Sequence, residues 1–197
     1  MNREPEFEGV RRMRGMVAPN VLSAFWTPLC AVGSHGERGP NAQICVSVFG
    51  ASIVPDRPRL LVNLSKTNYT CDLVRKSGTL SVTLLSEAQV GLLETLGLQS
   101  GRDGDKLAGL EFELTGHGDP VFPGGVGFVA GEVIEAFDLG DARAYLVAVR
   151  ERETWAEEAR RMRWQEVRET IGEDFLLRWL AKSEREQEAA RRVMKWR

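Results

Sequence analysis

The spacing of apolar residues changes once along this chain, from period two to period three or four, and the change divides it. From Leu29 to about Arg150, short β-branched or aromatic runs alternate with Gly, Pro and Asp, as in a β-rich domain. Leu29 to Gly33 and Asn41 to Phe49 read as the strands of a hairpin across Ser34 to Pro40, where glycines permit positive φ. Arg59 to Leu64 is a compact apolar run after Pro58, and Thr79 to Leu85 sets Leu80, Val82 and Leu84 on one face, so both read as strands. Further strands are expected over Glu111 to Thr115, Phe128 to Phe137 and Ala142 to Arg150, the last two joined by the turn Asp138 to Asp141. Two helices interrupt the strands. One covers Thr70 to Ser77, with Asn68 or Thr70 as N-cap and Gly78 closing it; the other opens on a Ser86/Gln89 capping box and ends near Gly97.

Beyond Arg150 the composition turns to Arg, Glu, Ala and scattered Trp, which predicts helix. Glu157 and Arg161, Asp174 and Arg178, and Glu188 and Arg192 stand at acid-then-base spacing of four, each pair contributing ~0.2–0.5 kcal/mol on a helix. Gly172 divides the region into two helices. Met162, Val167, Ile171, Phe175, Leu176, Trp179 and Leu180 form an apolar stripe that must pack on the barrel or on a partner chain. It fits a dimer arm, a lid over a site, or a buttress for its own domain. The organisation expected is therefore a β domain over residues 1–150 and a charged helical extension over 151–197.

Charge and cysteine usage narrow the functions open to such a chain. At 197 residues it can bury a proper core, and its 43% hydrophobic content and formal charge of -2 carry no basic excess for nucleic acid or an anionic membrane. Cys30, Cys45 and Cys71 are odd in number, lack C-x-x-C spacing and have only His35 and His117 as companions, so reduced thiols are expected and no metal site. No window approaches the ~18 apolar residues of a membrane span. The segment Met1 to Gly15 lacks a signal-peptide core, which points to a cytoplasmic location.

Most chemistry-bearing motifs fail on inspection. Gly116-His117-Gly118 begins like a dinucleotide fingerprint but lacks the third glycine and is followed by Pro120 where a helix should open. Gly101 to Lys106 has the wrong spacing for a phosphate-binding Walker loop, and no serine sits in a nucleophile elbow. Both histidines read as solvent-exposed loop residues, and Asp103, Asp105 and Glu111 as a solvated turn. One segment survives, Ser65-Lys66-Thr67-Asn68-Tyr69-Thr70, between an apolar strand and a helix start. Its hydroxyls, amide, ammonium and backbone N–H groups suit a phosphate, and equally suit ordinary capping.

The company of that loop adds a family resemblance. The strand Thr27 to Ser34, the turn Gly39-Pro40-Asn41-Ala42, Asp56-Arg57-Pro58 leading to Leu61-Val62-Asn63-Leu64, the loop itself, the Ser77-Gly78 turn and Gly104-Asp105-Lys106-Leu107 occur in one order. Over residues 17–150 this order resembles the flavin reductase-like, FMN-binding split-barrel family, which includes flavoredoxins and reductase components of two-component monooxygenases. The resemblance implies a mainly β fold, a Greek-key split β-barrel with short helices, here carrying a C-terminal helical extension.

It also implies a site. Asn41, Gln43, Ile44 and Cys45 would face the flavin ring edge, mostly through strand backbone. Ser65, Lys66, Asn68 and Thr70 would hold the phosphate, and Lys106 would approach flavin or phosphate from the same or a neighbouring chain. The implied cofactor is FMN, with FAD as an alternative; the implied reductant is NADH or NADPH, and the implied assembly a homodimer. The implied activity is hydride transfer from the nicotinamide to flavin and on to an acceptor, needing no catalytic side chain; the alternative is a flavin-binding electron-transfer or redox-responsive protein without turnover. Two positions depart from the family pattern. Gly140-Asp141-Ala142 stands where many members carry Gly-Asp-His, with Arg143 next to it, and Ile44 stands where some members carry a hydroxyl.

Overall fold

A computed structural model describes residues 21–196; the segment read for the absence of a leader lies outside them. Among the described residues nine strands and three α-helices follow one another: β1 Cys30–Gly36, β2 Gly39–Cys45, β3 Val48–Gly50, β4 Arg59–Ser65, α1 Tyr69–Ser77, β5 Thr79–Leu84, β6 Glu113–Leu114, β7 Pro120–Val121, β8 Gly127–Asp138, β9 Ala142–Thr154, α2 Trp164–Thr170 and α3 Glu173–Arg191. Seven strands form one curled antiparallel half-barrel in the order β2-β1-β5-β8-β9-β4-β3, leaving β2 and β3 at the edges. A short π-helical turn, Glu94–Leu98, lies against β2.

The period-two alternation buries two cores, one on each side of the sheet. Val32, Val62, Leu64, Leu80, Val82 and Tyr145 fill the barrel under α1. On the outer face Leu29, Ala31, Leu93, Phe122, Met162 and Trp164 pack together. Because both faces of β1 are covered, Ala31 and Val32 are each 0% exposed, and the strand reads as an uninterrupted apolar run. Gly78 closes α1 in the left-handed region at φ 74°, where its N–H bonds to Val74 O.

The structure redraws several boundaries. The run Asn41 to Phe49 is two strands: past Cys45 the chain leaves β1, as Val46 O accepts from Thr27 N at 3.0 Å and Ser47 O from Asn63 N at 3.0 Å. Apolar alternation continues through this exchange of partners and cannot reveal it. The hairpin strands close further than expected, down to Gly36 opposite Gly39. Of Glu111 to Thr115 only Glu113–Leu114 is strand.

β9 runs on to Thr154 because Glu151, Arg152 and Glu153 pair with Ala130, Val129 and Phe128 of β8; the ladder overrides a helix-like composition. The capping box is present, with Ser86 N bonded to Gln89 Oε1 at 3.3 Å, but it opens only the 3-10 turn Glu87–Gln89. Glu157 and Arg161 lie outside any helix; Arg161 instead bridges to Ser86. Gly172 does separate α2 from α3, and Asp174–Arg178 and Glu188–Arg192 pair at 2.9 and 3.3 Å. The apolar stripe packs on its own domain, with Met162, Val167 and Phe175 in the outer core. Among the described residues no helix is long and apolar enough to cross a membrane.

Candidate functional site

Three adjoining cavities run along β2, past the start of α1 and under α3. A cavity of about 200 Å³ is lined by Gln43, Ile44, Cys45 and Val46 together with Trp26, Trp164 and Trp179. A constriction of about 70 Å³ follows, between Asn41, Thr67, Asn68, Thr70 and Lys106. Beyond it an outer cavity of about 600 Å³ is bounded by the Gln99–Lys106 loop and by Lys182 and Arg185 of α3. Lys182 and Glu186 line all three.

Topology gives this cleft its donors. As an edge strand, β2 pairs with β1 on one side and offers alternate N–H and C=O groups on the other. Asn41 is fixed there, its Nδ2 donating to the buried Thr70 Oγ1 at 2.7 Å. Gly101 makes that placement possible, since a Cβ at this position would collide with Asn41 Oδ1 and stand 2.8 Å from Tyr69 Cδ1. Gln43 is buried, and its Oε1 has no partner among the described residues. Such an atom costs about 1–3 kcal/mol unless something entering the cleft donates to it. Burial pushes the Cys45 thiol up to about 11, so it is a neutral wall.

The anion end is built by the loop before α1. Asn68 sits at the N-cap with extended backbone but makes no side-chain capping bond, leaving its amide to the cleft. Ser65 Oγ and Thr67 Oγ1 bond each other at 2.8 Å. Arg102 fastens the loop from outside, donating to Thr67 O at 2.6 Å and to Asp72 at 2.7 Å.

Lys106 is 9% exposed and donates to Gln99 O at 3.1 Å and Leu96 O at 3.4 Å. Burial, then the charge of Lys182, lowers its pKa to about 8. Lys182 itself donates to Gly97 O at 2.6 Å.

Of the residues singled out in the sequence, the structure gathers Asn41, Gln43, Ile44, Cys45, Asn68, Thr70 and Lys106 around the cleft. Ser65 and Lys66 are not among the residues lining it. Lys66 Nζ is 2.7 Å from Asp138 Oδ1, and this bond brings the Asp138 carboxyl down to about 2. Arg143 also stands apart, its Nη2 3.8 Å from Asp138 Oδ2. His35 is not a loop residue; it lies in β1 with Nδ1 2.7 Å from the buried Asp119. Sequence reasoning missed Trp26, Trp164, Gln99, Ser100, Lys182 and Glu186. Only the Lys182/Glu186 spacing of four, adjoining the Trp179 stripe, could have signalled any of them.

Against known proteins, the sequence matches the flavin reductase like domain over residues 22–168. This chain belongs to the flavin reductase-like family. A flavin reductase from Pseudomonas putida is 26% identical over 140 residues, covering 71% of this chain and 79% of the relative. The FMN-binding protein of Thermus thermophilus with bound p-hydroxybenzaldehyde aligns with TM-score 0.62 and 26% identity over 71% of this chain and 77% of its own. A nitrilotriacetate monooxygenase component B homologue from Mycobacterium thermoresistibile aligns with TM-score 0.63 and 23% identity, over 77% and 80% of the two chains. The mainly β split-barrel architecture expected from sequence, shared with FMN-binding neighbours, is thus the observed one, and the chain is a flavin reductase-like oxidoreductase by family.

The residues present suit a flavin. An open strand edge supplies backbone donors and acceptors, Gln43 Oε1 is a buried acceptor without a donor among the described residues, and a flavin's pyrimidine edge carries N–H and C=O groups.

Proposed function

We propose that this flavin reductase-like chain binds FMN with the ring along Gln43 to Val46 and the phosphate toward Asn68, Thr70 and Lys106. The observation that carries the reading is the cleft itself: an open strand edge with a buried amide oxygen, unpartnered among the described residues, at one end and a loop of donors with a buried ammonium at the other. Asn41, held by Thr70, ties the two ends together. Ser65 and Lys66 belong to the phosphate end only if Lys66 exchanges Asp138 for the ligand. Replacing Lys66 by Ala then weakens FMN more than riboflavin; equal loss for both leaves Lys66 out of the phosphate set.

When bound, the flavin would supply the redox chemistry, accepting a hydride (two electrons and one proton) from NADH or NADPH and passing the electrons to free flavin or another acceptor. The chain's own residues orient the ring through β2, hold the pyrimidine edge by hydrogen bonds, and exclude water with Trp26, Trp164 and Trp179. A homodimer is part of this reading; exposed Phe49 and Phe137 share the outer face of β3-β4-β9-β8 by register, as a buried subunit contact requires. This reading also places the protein in the cytoplasm.

A second reading has one observation behind it. Ala142 stands where the resemblance implies a histidine, and Arg143 beside it is not among the residues lining the cleft. That favours a flavin-bound electron carrier without nicotinamide turnover. The deciding experiment is the visible spectrum of the FMN-loaded protein under anaerobic conditions. Bleaching by NADH or NADPH at a catalytic rate selects the reductase; a flavin spectrum that nicotinamides leave unchanged selects the carrier.

A further inference from the structure

The outer cavity is much larger than a phosphate needs. At about 600 Å³ it falls within the size range of a nucleotide-sized pocket. It meets the constriction through a shared set of residues: Thr67, Gln99, Ser100, Lys106, Lys182 and Glu186.

That junction holds two ammonium groups and two hydroxyls. Lys106 gives two hydrogen bonds to carbonyls, and an ammonium has three donors. Lys182 is 3.6 Å from Glu186, so part of its charge is offset, yet its field still contributes to lowering the Lys106 pKa. An anion placed between the two lysines removes their repulsion and restores the charged form of Lys106. Past the junction the wall changes character. Arg185 adds a third cation, Asp103 and Asp105 bring carboxylates of the kind that accept from ribose hydroxyls, and Leu98 and Ala189 give apolar surface.

We infer that the junction and outer cavity form a subsite for the pyrophosphate and adenylate half of a dinucleotide, with Lys182 and Arg185 of α3 supplying its charge from outside the split barrel's own strands. The inference rests on the flavin reading for the direction of the ligand: ring on β2, first phosphate at Asn68, Thr70 and Lys106, second phosphate between Lys106 and Lys182. The same ADP moiety occurs in FAD and in NADH or NADPH, and the subsite's chemistry is common to both.

The full-length protein is titrated separately with riboflavin, FMN, FAD and ADP, each followed calorimetrically, and ADP is titrated again into FMN-loaded protein. For an FAD subsite, FAD binds about 10-fold or more tightly than FMN, the size of one charge-assisted hydrogen bond. Arg185→Gln, a change at an exposed side chain, then removes most of that advantage and leaves FMN within about 2-fold. Lys182→Gln likewise weakens FAD more than FMN. For a nicotinamide subsite, FAD and FMN bind equally, FMN-loaded protein binds ADP, and Arg185→Gln abolishes the ADP binding. Equal FAD and FMN affinity with no ADP binding overturns the subsite, as does ADP or FAD binding indifferent to both substitutions. If no flavin binds, the flavin reading fails, and ADP binding to the free protein still decides the subsite.

Discussion

Gly101 and Lys106 carry the most at the scale of single residues, because each leaves room or charge for something outside the chain. A Cβ at Gly101 collides with Asn41 Oδ1 and crowds the amide that bonds Thr70, so Gly101→Ala should weaken FMN by about 10-fold, the worth of a lost, well-placed polar contact. Thermal unfolding should change little by comparison, since this loop lies outside both cores.

Lys106 predicts a pH dependence. Its free-state pKa of about 8 lies below the usual 10.5, and a bound phosphate stabilises the ammonium and raises it again. FMN affinity should therefore be full below pH 8 and fall as pH rises from there toward the bound-state pKa, while riboflavin affinity stays flat. Of the charged groups that share its cavity, Lys182 and Glu186 from α3, Asp103 and Asp105 on its own loop and Arg185 at the wall, Lys182 is the one that adds to burial in lowering its pKa. For the protein without ligand the sign is reversed: between pH 8 and 10.5 the unfolded chain binds more protons at this position, so stability rises with pH there.

These two residues also mark the limit of what the sequence revealed locally. Asn68 and Thr70 could be read as phosphate ligands or as caps, and only the missing capping bond decides how the Asn68 amide is used. Lys66 looked like the phosphate cation because it sits in the loop. Asp138, 72 positions away in sequence, competes for it, and no local pattern announces such a partner.

Among the elements, β2 and α3 make the cleft from opposite sides. β2 was legible, since Gly39-Pro40 ends the turn and the alternation from Asn41 is regular; its edge position was not, because neighbours in a sheet are set by the whole topology. α3 was legible as a helix with an apolar stripe, and its seat was not. Trp179 reaches Trp164 with ring centroids 4.8 Å apart, and Arg178 pairs with Glu94 on the π-helical turn. Trp179→Ala should destabilise the protein by ~2 kcal/mol, through lost burial and the aromatic contact, and lower the urea midpoint accordingly. Leu177→Ala, on a side chain 49% exposed two positions away, should stay within ~0.5 kcal/mol. Equal effects at both positions would mean that α3 does not seat on this face.

For the molecule as a whole, barrel and tail form one structure around the cleft. β9 continues to Thr154, Met162 bonds through its backbone to Leu29 and Leu85, and Trp164 and Phe175 enter the outer core. Composition drew the change at Arg150 because charge responds to solvent exposure, while the ladder with β8 responds to pairing. The consequence is functional: three of the chain's five tryptophans, Trp26, Trp164 and Trp179, converge on the proposed ring position. A flavin bound there must quench their emission. The most direct test is therefore a titration of the full-length protein with FMN, followed by tryptophan fluorescence. Saturable quenching is expected, with riboflavin giving the same final quench at weaker affinity for want of the phosphate. A linear, non-saturating decrease, equal for FMN and riboflavin, would contradict a flavin site between β2 and α3.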